Sequence, residues 1–216
     1  MKKIVIIGAG GFGREIKIII DDINKKSLEY DFLGFFDDNI EKGKLVNGFP
    51  ILGTIQDLNS INEDTSVAFG IGEPKTKKNL IKELINKKLQ FPTLIHPSCI
   101  ISNDEVHIGK GTILCAGNII TCNIRIEDFV TINLMCTVGH DTHINNYCSF
   151  MPSVNISGEV IIHENVYVGT GAKIINRLAI GKNTIVGAGA VVSKSLPENC
   201  TAVGIPAKPI KFHDNE

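Results

Sequence analysis

The sequence predicts an α/β domain followed by an all-β solenoid, and three observations carry the prediction. Hydrophobic residues recur at every sixth position from Ile108 to Val192 without a slip. A β-branched run ending at Ile7 opens into Gly8-Ala9-Gly10-Gly11-Phe12-Gly13 and then into a helix-like stretch. The 216 residues are 43% hydrophobic, with 22 lysines and arginines against 23 aspartates and glutamates, enough to bury a core and without the cationic excess that binds nucleic acid.

The N-terminal elements follow in order. Two lysines precede the first apolar run, but glycines break that run after Ile7 and no cleavage pattern follows, so it reads as a strand and not a signal peptide. The G-x-G-x-x-G spacing lies in its proper context, strand before and helix from Arg14 to Asp22 after. Its glycines permit a tight turn and let a phosphate approach backbone amides at a helix N-terminus. Next come a strand from Phe32 to Phe36 ending in Asp37-Asp38, a turn, and a short helix around Ile55 to Leu58. A strand from Ser66 to Phe69 ends in Gly70-Ile71-Gly72, and a helix runs from Thr76 to Lys88. This is half of a Rossmann sheet, because the hexads begin too soon after Pro97 for a second half. The domain is sized for one nucleotide, which disfavours nicotinamide-dependent redox chemistry. Its strand ends, Gly8 to Gly13, Asp37-Asp38 and Gly70 to Gly72, fall on one carboxyl edge, where ligands of such sheets sit. The competing reading is that the glycines serve packing and the aspartates cap a turn. Lys75, Lys77, Lys78, Lys82, Lys87 and Lys88 read as a solvated helix face.

A period of six fits neither a 3.6-residue helix nor plain strand alternation, so it reports a repeated supersecondary unit. Residues four places after each periodic one, such as Thr112, Val130, Cys136, Val154, Val166 and Ala190, are mostly small or β-branched. Two inward positions separated by an even step describe a short strand, and glycine or a small polar residue often follows the periodic one, as at Gly139, Ser157, Gly169 and Gly187, where the chain turns a corner. The six cysteines lack CxxC spacing, and Cys136 and Cys148 fall on inward positions, so they read as reduced core thiols. No stretch approaches the roughly 20 apolar residues of a spanning helix. No membrane insertion and a cytoplasmic location are expected.

These hexads resemble the hexapeptide-repeat acyltransferases, whose fold is a left-handed parallel β-helix of triangular section with three hexads per coil. The resemblance implies coil neighbours 18 residues apart and alone supplies the handedness, since parallel crossovers are nearly always right-handed. More specifically, a small Gly-Ala-Gly-Gly-Phe-Gly domain joined through Ile95-His96-Pro97 to such a solenoid is similar to the NeuD/PglD-like sugar acyltransferases. It implies a nucleotide-sugar-binding half-Rossmann domain over residues 1–95 and a left-handed β-helix acetyltransferase domain with a C-terminal cap over residues 96–216. Acetyl-CoA as co-substrate and a homotrimer with active sites at subunit boundaries are implied with it. Carried over by motif, Gly10, Gly11 and Gly13 lie near the sugar nucleotide's phosphates, Asp37 and Asp38 near its base or ribose, and Gly72 on the same edge. Gly204-Ile205-Pro206-Ala207-Lys208 matches the G-x-P-A-K/R segment after the family's last coil, and covers an edge that would aggregate if bare.

Acetyl transfer from a thioester needs a nucleophile stripped of its proton, a donor for the developing oxyanion and exclusion of water. Histidine is the usual base, because its ordinary charge change falls near working pH. Of His96, His107, His140, His143, His163 and His213, His140 stands at a coil corner with an adjacent acid, Asp141, and in the resembling family the base is the histidine of this His-acid pair. Asp141 then orients the imidazole and stabilises its charged form. One implied coil above lies Gly158, whose missing side chain leaves space for substrate and an exposed amide for the oxyanion. Thr170 and Ala188, one coil apart, make the shallow groove that the family uses for the pantetheine arm. No metal is expected, since nothing is spaced to join His140 and His143 as a third ligand. Some relatives carry a second histidine nine residues past the base, where this chain has Ser149.

The resulting expectation is an acetyl-CoA-dependent N-acetyltransferase for the 4-amino group of a nucleotide-linked deoxy-amino sugar of the bacillosamine or perosamine type, feeding a surface glycan. The alternatives are O-acetylation of sialic acid or another sugar, which the same scaffold can host, and a non-enzymatic nucleotide-binding scaffold.

Overall fold

The computed structural model describes residues 1–213 and divides into two units, Met1–Pro97 and a second that begins at Ser98. The first is built on a sheet of β1 (Lys2–Ile7), β2 (Tyr30–Phe36), β3 (Leu45–Val46), β4 (Phe49–Gly53), β5 (Thr65–Phe69) and β6 (Leu89–Gln90), in the order β3-β4-β2-β1-β5-β6. All pairings are parallel except β3 with β4. Residues 4 to 7 of the central β1 are at most 1% exposed, the continuous apolar run of a parallel strand covered on both faces. Helix α1 (Gly11–Lys26) buries Ile16, Ile19 and Ile20, one stripe at helical spacing, and ends with Lys25 and Lys26 against the negative end of its dipole.

Two elements differ from the sequence-based expectation. The stretch between Asp38 and Ile55, expected as a turn, holds the β3–β4 hairpin, whose Asn47 and Gly48 both take positive φ (47° and 83°), as a two-residue twisted turn requires. The second helix, expected to reach Lys88, is α2 (Pro74–Glu83). Glu73 caps its start by accepting from the Lys75 and Thr76 amides at 3.1 and 2.6 Å. Its end is set by asparagines. Asn59 Oδ1 takes the Ile85 amide at 2.9 Å, and Asn86 Nδ2 donates to the Leu58 and Ile61 carbonyls at 3.0 and 2.8 Å, diverting the chain into β6. On α2, Lys77 is 1% exposed, so it leaves the solvated face on which the sequence placed it.

In the second unit two-residue strands stack into parallel sheets on three sides, visited in turn. Thr131–Ile132 pairs with Ile113–Leu114 before it and Ser149–Phe150 after it, a step of 18 residues that also relates Thr137–Val138 to Asn155–Ile156 and Ile126 to Ile144. The periodic residues form the core: from Leu114 to Val192 each is at most 4% exposed, while Ile108, in the opening coil, is half-buried. The second inward set agrees, with Val130, Val154, Val160, Val166, Ala172 and Ala190 at 0% and only Leu178 half-exposed.

The corners divide two demands that the sequence reading had merged. Where glycine directly follows the periodic residue, a side chain is excluded by the next coil: a Cβ on Gly139 would lie 2.7 Å from the Gly158 nitrogen. Positive φ is needed two residues later, in register every six residues, at Asn123, Phe129, Met135, Asp141, Tyr147, Ser153, Glu159 and Asn165 among others. There the left-handed turn aims the amide at the coil before, as Phe129 to the Lys110 carbonyl at 2.8 Å and Tyr147 to Asp128 at 3.0 Å.

The last coil is closed by an antiparallel pair, Cys200–Val203 with Lys208–Phe212, and the Gly204 to Ala207 turn bonds Val191 at both ends. Among the described residues no helix is long and apolar enough to cross a membrane. Cys115, Cys136, Cys148 and Cys200 are buried thiols outside any disulfide, whereas Cys99 and Cys122 are half-exposed. Burial pushes the Cys136 thiol up to about 11. Iodoacetamide at about pH 8 is therefore expected to alkylate Cys99 and Cys122 first and spare Cys136. Peptide mass spectrometry checks this, and Cys136 labelling at the rate of Cys122 would contradict the packing.

Candidate active site

Two groups of candidate residues belong to different units and are built separately. In the first unit the carboxyl ends of β1, β2, β4 and β5 are tied edge to edge. The Gly8 amide donates to the Phe36 carbonyl (2.8 Å), the Asp37 amide to Gly53 (3.0 Å) and the Gly70 amide to Ile7 (2.7 Å). Asp37 holds the glycine loop: Oδ2 accepts from the Ala9 amide at 2.8 Å and Oδ1 from Asn39 at 2.9 Å. Asp38 accepts from the Ile55 amide at 2.8 Å and so opens the short helix Ile55–Ser60.

The glycines separate by role. Gly10 and Gly11 have open space where a side chain would stand. Gly10 is the N-cap of α1 and supplies no side-chain cap, and the first turn holds no acid, so the amides there are available to an anion. Gly13 is different: it is buried, and a Cβ would stand 1.9 Å from the Gly8 carbonyl oxygen, so helix-to-strand packing requires glycine there. Gly72 is half-exposed on the same edge. Beside this loop a cavity of about 440 Å³ is lined by Gly11, Arg14, Lys17, Phe35, Asn47 and Phe49. Of these, Arg14, Asn47 and Phe49 escaped the sequence reading. Arg14 directly follows the motif, while Asn47 and Phe49 come from the hairpin whose Asn-Gly signal marks it.

In the second unit His140 and Asp141 occupy the corner after Thr137–Val138. Asp141 takes the left-handed conformation (φ 56°), and its Oδ2 lies 2.7 Å from His140 Nδ1. The other oxygen, Oδ1, accepts from Asn123 Nδ2 at 2.9 Å. The bond to His140 first, and that to Asn123 second, hold the Asp141 carboxyl below the usual carboxylate range. A depressed carboxylate pKa means the contact is present above the ordinary value near ~3.9 and is lost only as pH falls through the lower folded value. The pair is thus intact throughout the neutral range. With Nδ1 donating to Asp141, Nε2 is left as the proton acceptor.

Gly158 lies over this ring as the spacing implied, but the space above is not empty. A Cβ there would sit 2.5 Å from both Cε1 and Nε2 of His140, so the missing side chain accommodates the imidazole itself. The Gly158 carbonyl accepts from Arg177, while among the described residues nothing accepts from its amide.

The other histidines are placed elsewhere. His143 Nε2 lies 3.0 Å from Glu127, and His96 Nε2 lies 3.0 Å from Asp22. His107 and His163 are exposed, and His213 meets the Thr201 hydroxyl at 2.9 Å. Among the described residues no cluster of three or more metal-ligating side chains forms. Thr170 and Ala188 are exposed, one coil apart, at the corner after the sheet of Tyr167–Val168 and Ile185–Val186. His140 and Gly158 turn the corner after the sheet of Thr137–Val138 and Asn155–Ile156. The two pairs therefore lie on different edges of the solenoid, and a single copy does not bring them together.

Comparison with known proteins gives concordant results. The family model described as PglD N-terminal domain matches residues 3–84. A GDP-perosamine N-acetyltransferase of Escherichia coli O157:H7 is 34% identical over 212 residues, covering 95% of each chain. Among solved structures, the acetyltransferase domain of PglB from Neisseria gonorrhoeae FA1090 in complex with acetyl coenzyme A matches with a TM-score of 0.86 and 29% identity, over 97% of this chain and 99% of that one. PerB from Caulobacter crescentus, in complex with CoA and GDP-perosamine, matches with a TM-score of 0.84 and 28% identity over 98% of each chain. A half-size α/β domain with a glycine-rich first turn, a solenoid with an 18-residue step and full-length identity of this extent fix the relationship: the chain belongs to the PglD-like sugar acyltransferases.

Proposed function

We propose that this protein is an acetyl-CoA-dependent N-acetyltransferase acting on the 4-amino group of a nucleotide-linked deoxy-amino sugar. The observation that carries the reading is the His140–Asp141 pair packed against Gly158, whose amide has no acceptor among the described residues. It is supported by the relatives, one named for perosamine N-acetylation and one holding both CoA and GDP-perosamine. In the reaction His140 Nε2 accepts a proton from the sugar amine as its nitrogen attacks the thioester carbonyl. The Gly158 amide donates to the oxygen that becomes negative, and Asp141 stabilises the imidazolium. Collapse expels the CoA thiolate, which takes the proton back from His140, leaving an amide and free CoA.

At the sheet edge, the Gly10 and Gly11 amides at the α1 N-terminus receive the phosphates, with Asp37, Asp38 and Gly72 framing the nucleotide. Thr170 and Ala188 form the pantetheine groove. Since that groove and the base lie on different edges of one solenoid, a complete site takes one edge from each of two copies, which the homotrimer supplies. The enzyme then works in the cytoplasm, where acetyl-CoA and sugar nucleotides are formed. Thiol release from acetyl-CoA tests the reading against a panel of UDP-, GDP- and dTDP-linked 4-amino sugars with free sialic acid. Turnover confined to a 4-amino nucleotide sugar is the expected result. Turnover with sialic acid would move the assignment to O-acetylation, and the absence of thiol release with every acceptor would favour a binding scaffold.

A further inference from the structure

We infer that Asn123 is a positioning residue for the His140–Asp141 pair, its side-chain amide holding Asp141 so that the opposite carboxylate oxygen faces the imidazole. The inference rests on His140 acting as the base. Asn123 lies one coil before Asp141, in a column of left-handed corners that runs Glu105, Asn123, Asp141, Glu159 and Arg177. Asparagine favours this conformation, but glutamate and arginine occupy it in the same column, so backbone geometry does not require asparagine at 123.

The chemistry of the contact does. An amide nitrogen donates to a carboxylate without neutralising it. The next acid in the column shows the alternative: Arg177 Nε bonds both oxygens of Glu159 at 3.1 and 3.2 Å, and that carboxylate is matched by a full positive charge. Asp141 is fixed by a neutral donor, which leaves its charge for His140. Of the other charged groups nearby, Glu127 is paired with both Arg125 and His143, and Glu159 with Arg177, so none of these competes for the Asp141 oxygens. The sequence conceals this role, because Asn123 is 17 residues from His140 and only the coil step brings it to Asp141.

Two substitutions tolerated at positive φ separate donation from shape. Asn123→Gly removes the amide without backbone strain, and Asn123→Asp keeps the outline but replaces the donor with a charge. Both are expected to lower kcat about tenfold, the worth of one charge-assisted hydrogen bond, with KM for both substrates within about twofold of wild type. The acidic limb of the pH–rate profile should move to lower pH in Asn123→Gly, where Asp141 swings away from the imidazole. It should move to higher pH in Asn123→Asp, where a second carboxylate favours the imidazolium. Nitrogen-15 NMR of the His140 ring reads the same shifts without turnover. Asn123→Asp behaving as wild type, an unmoved His140 titration in Asn123→Gly, or activity falling only in step with melting temperature would each overturn the inference. If His140→Ala kept its activity, the base assignment would fall, while the NMR shift would still report the link from Asn123 to His140.

Discussion

Replacing His140 with alanine is expected to reduce kcat by roughly 10² to 10⁴ while the KM values for acetyl-CoA and the sugar nucleotide hardly change. General-base catalysis contributes a factor of this order, equivalent to about 2.7–5.5 kcal/mol of transition-state stabilisation. Binding is spared because the imidazole adds to the site a proton acceptor rather than a recognition surface. Its side chain is 56% exposed and, among the described residues, bonded only to Asp141 at 2.7 Å, so truncation opens no core cavity. Stability should therefore match wild type, and thermal melting run beside steady-state kinetics checks both halves. A variant with full turnover would remove His140 from the chemistry, whereas a large KM change with intact kcat would make it a binding residue.

A single methyl group at Gly158 should be nearly as damaging. The built Cβ stands 2.5 Å from the His140 ring atoms Cε1 and Nε2, well inside contact distance. Gly158 is not among the positive-φ glycines, so alanine meets no backbone objection there. The partner in the clash is the tip of a half-exposed side chain, which can swing aside at little cost to the fold. Gly158→Ala should thus keep its melting temperature yet hold the base about an ångström from its working position, a misplacement that can cost about 10² in rate. Kinetics on the folded variant test this. Wild-type kcat in Gly158→Ala would mean that the imidazole works from another rotamer.

How much of this was legible in the chain depended on whether a signal was local. The solenoid could be read because its rule is strict: Leu114, Ile120 and Ile126 announce themselves at fixed spacing, and each is at most 1% exposed. The His140–Asp141 pair was legible because the two are adjacent. Asn123 was not, since its bond to Asp141 depends on side chains brought together across a coil step, and the same step placed Gly158 over His140 without showing that the imidazole fills the space there. The length of α2 was missed for a similar reason. Its end is written in Asn59 and Asn86, whose partners lie 24 or more positions away. Lys77 reads as one cation in a basic run, and only the orientation of the helix puts it at 1% exposure. The hairpin at Asn47-Gly48, in contrast, carried its turn signal openly and was a misreading.

The uniform 18-residue step has a thermodynamic side. Each rung bonds only to the rungs directly before and after it, so the solenoid behaves as a one-dimensional stack whose interior rungs are secured on two sides and whose terminal rungs on one. Opening then costs least at an end, where one interface is lost instead of two, and spreads inward rung by rung, like a zipper. The His140 strand pairs, Thr137–Val138 with both Ile119–Ile120 and Asn155–Ile156, belong to that interior. The base is carried where amide exchange should be slowest, and the fraying ends can lose order without releasing it.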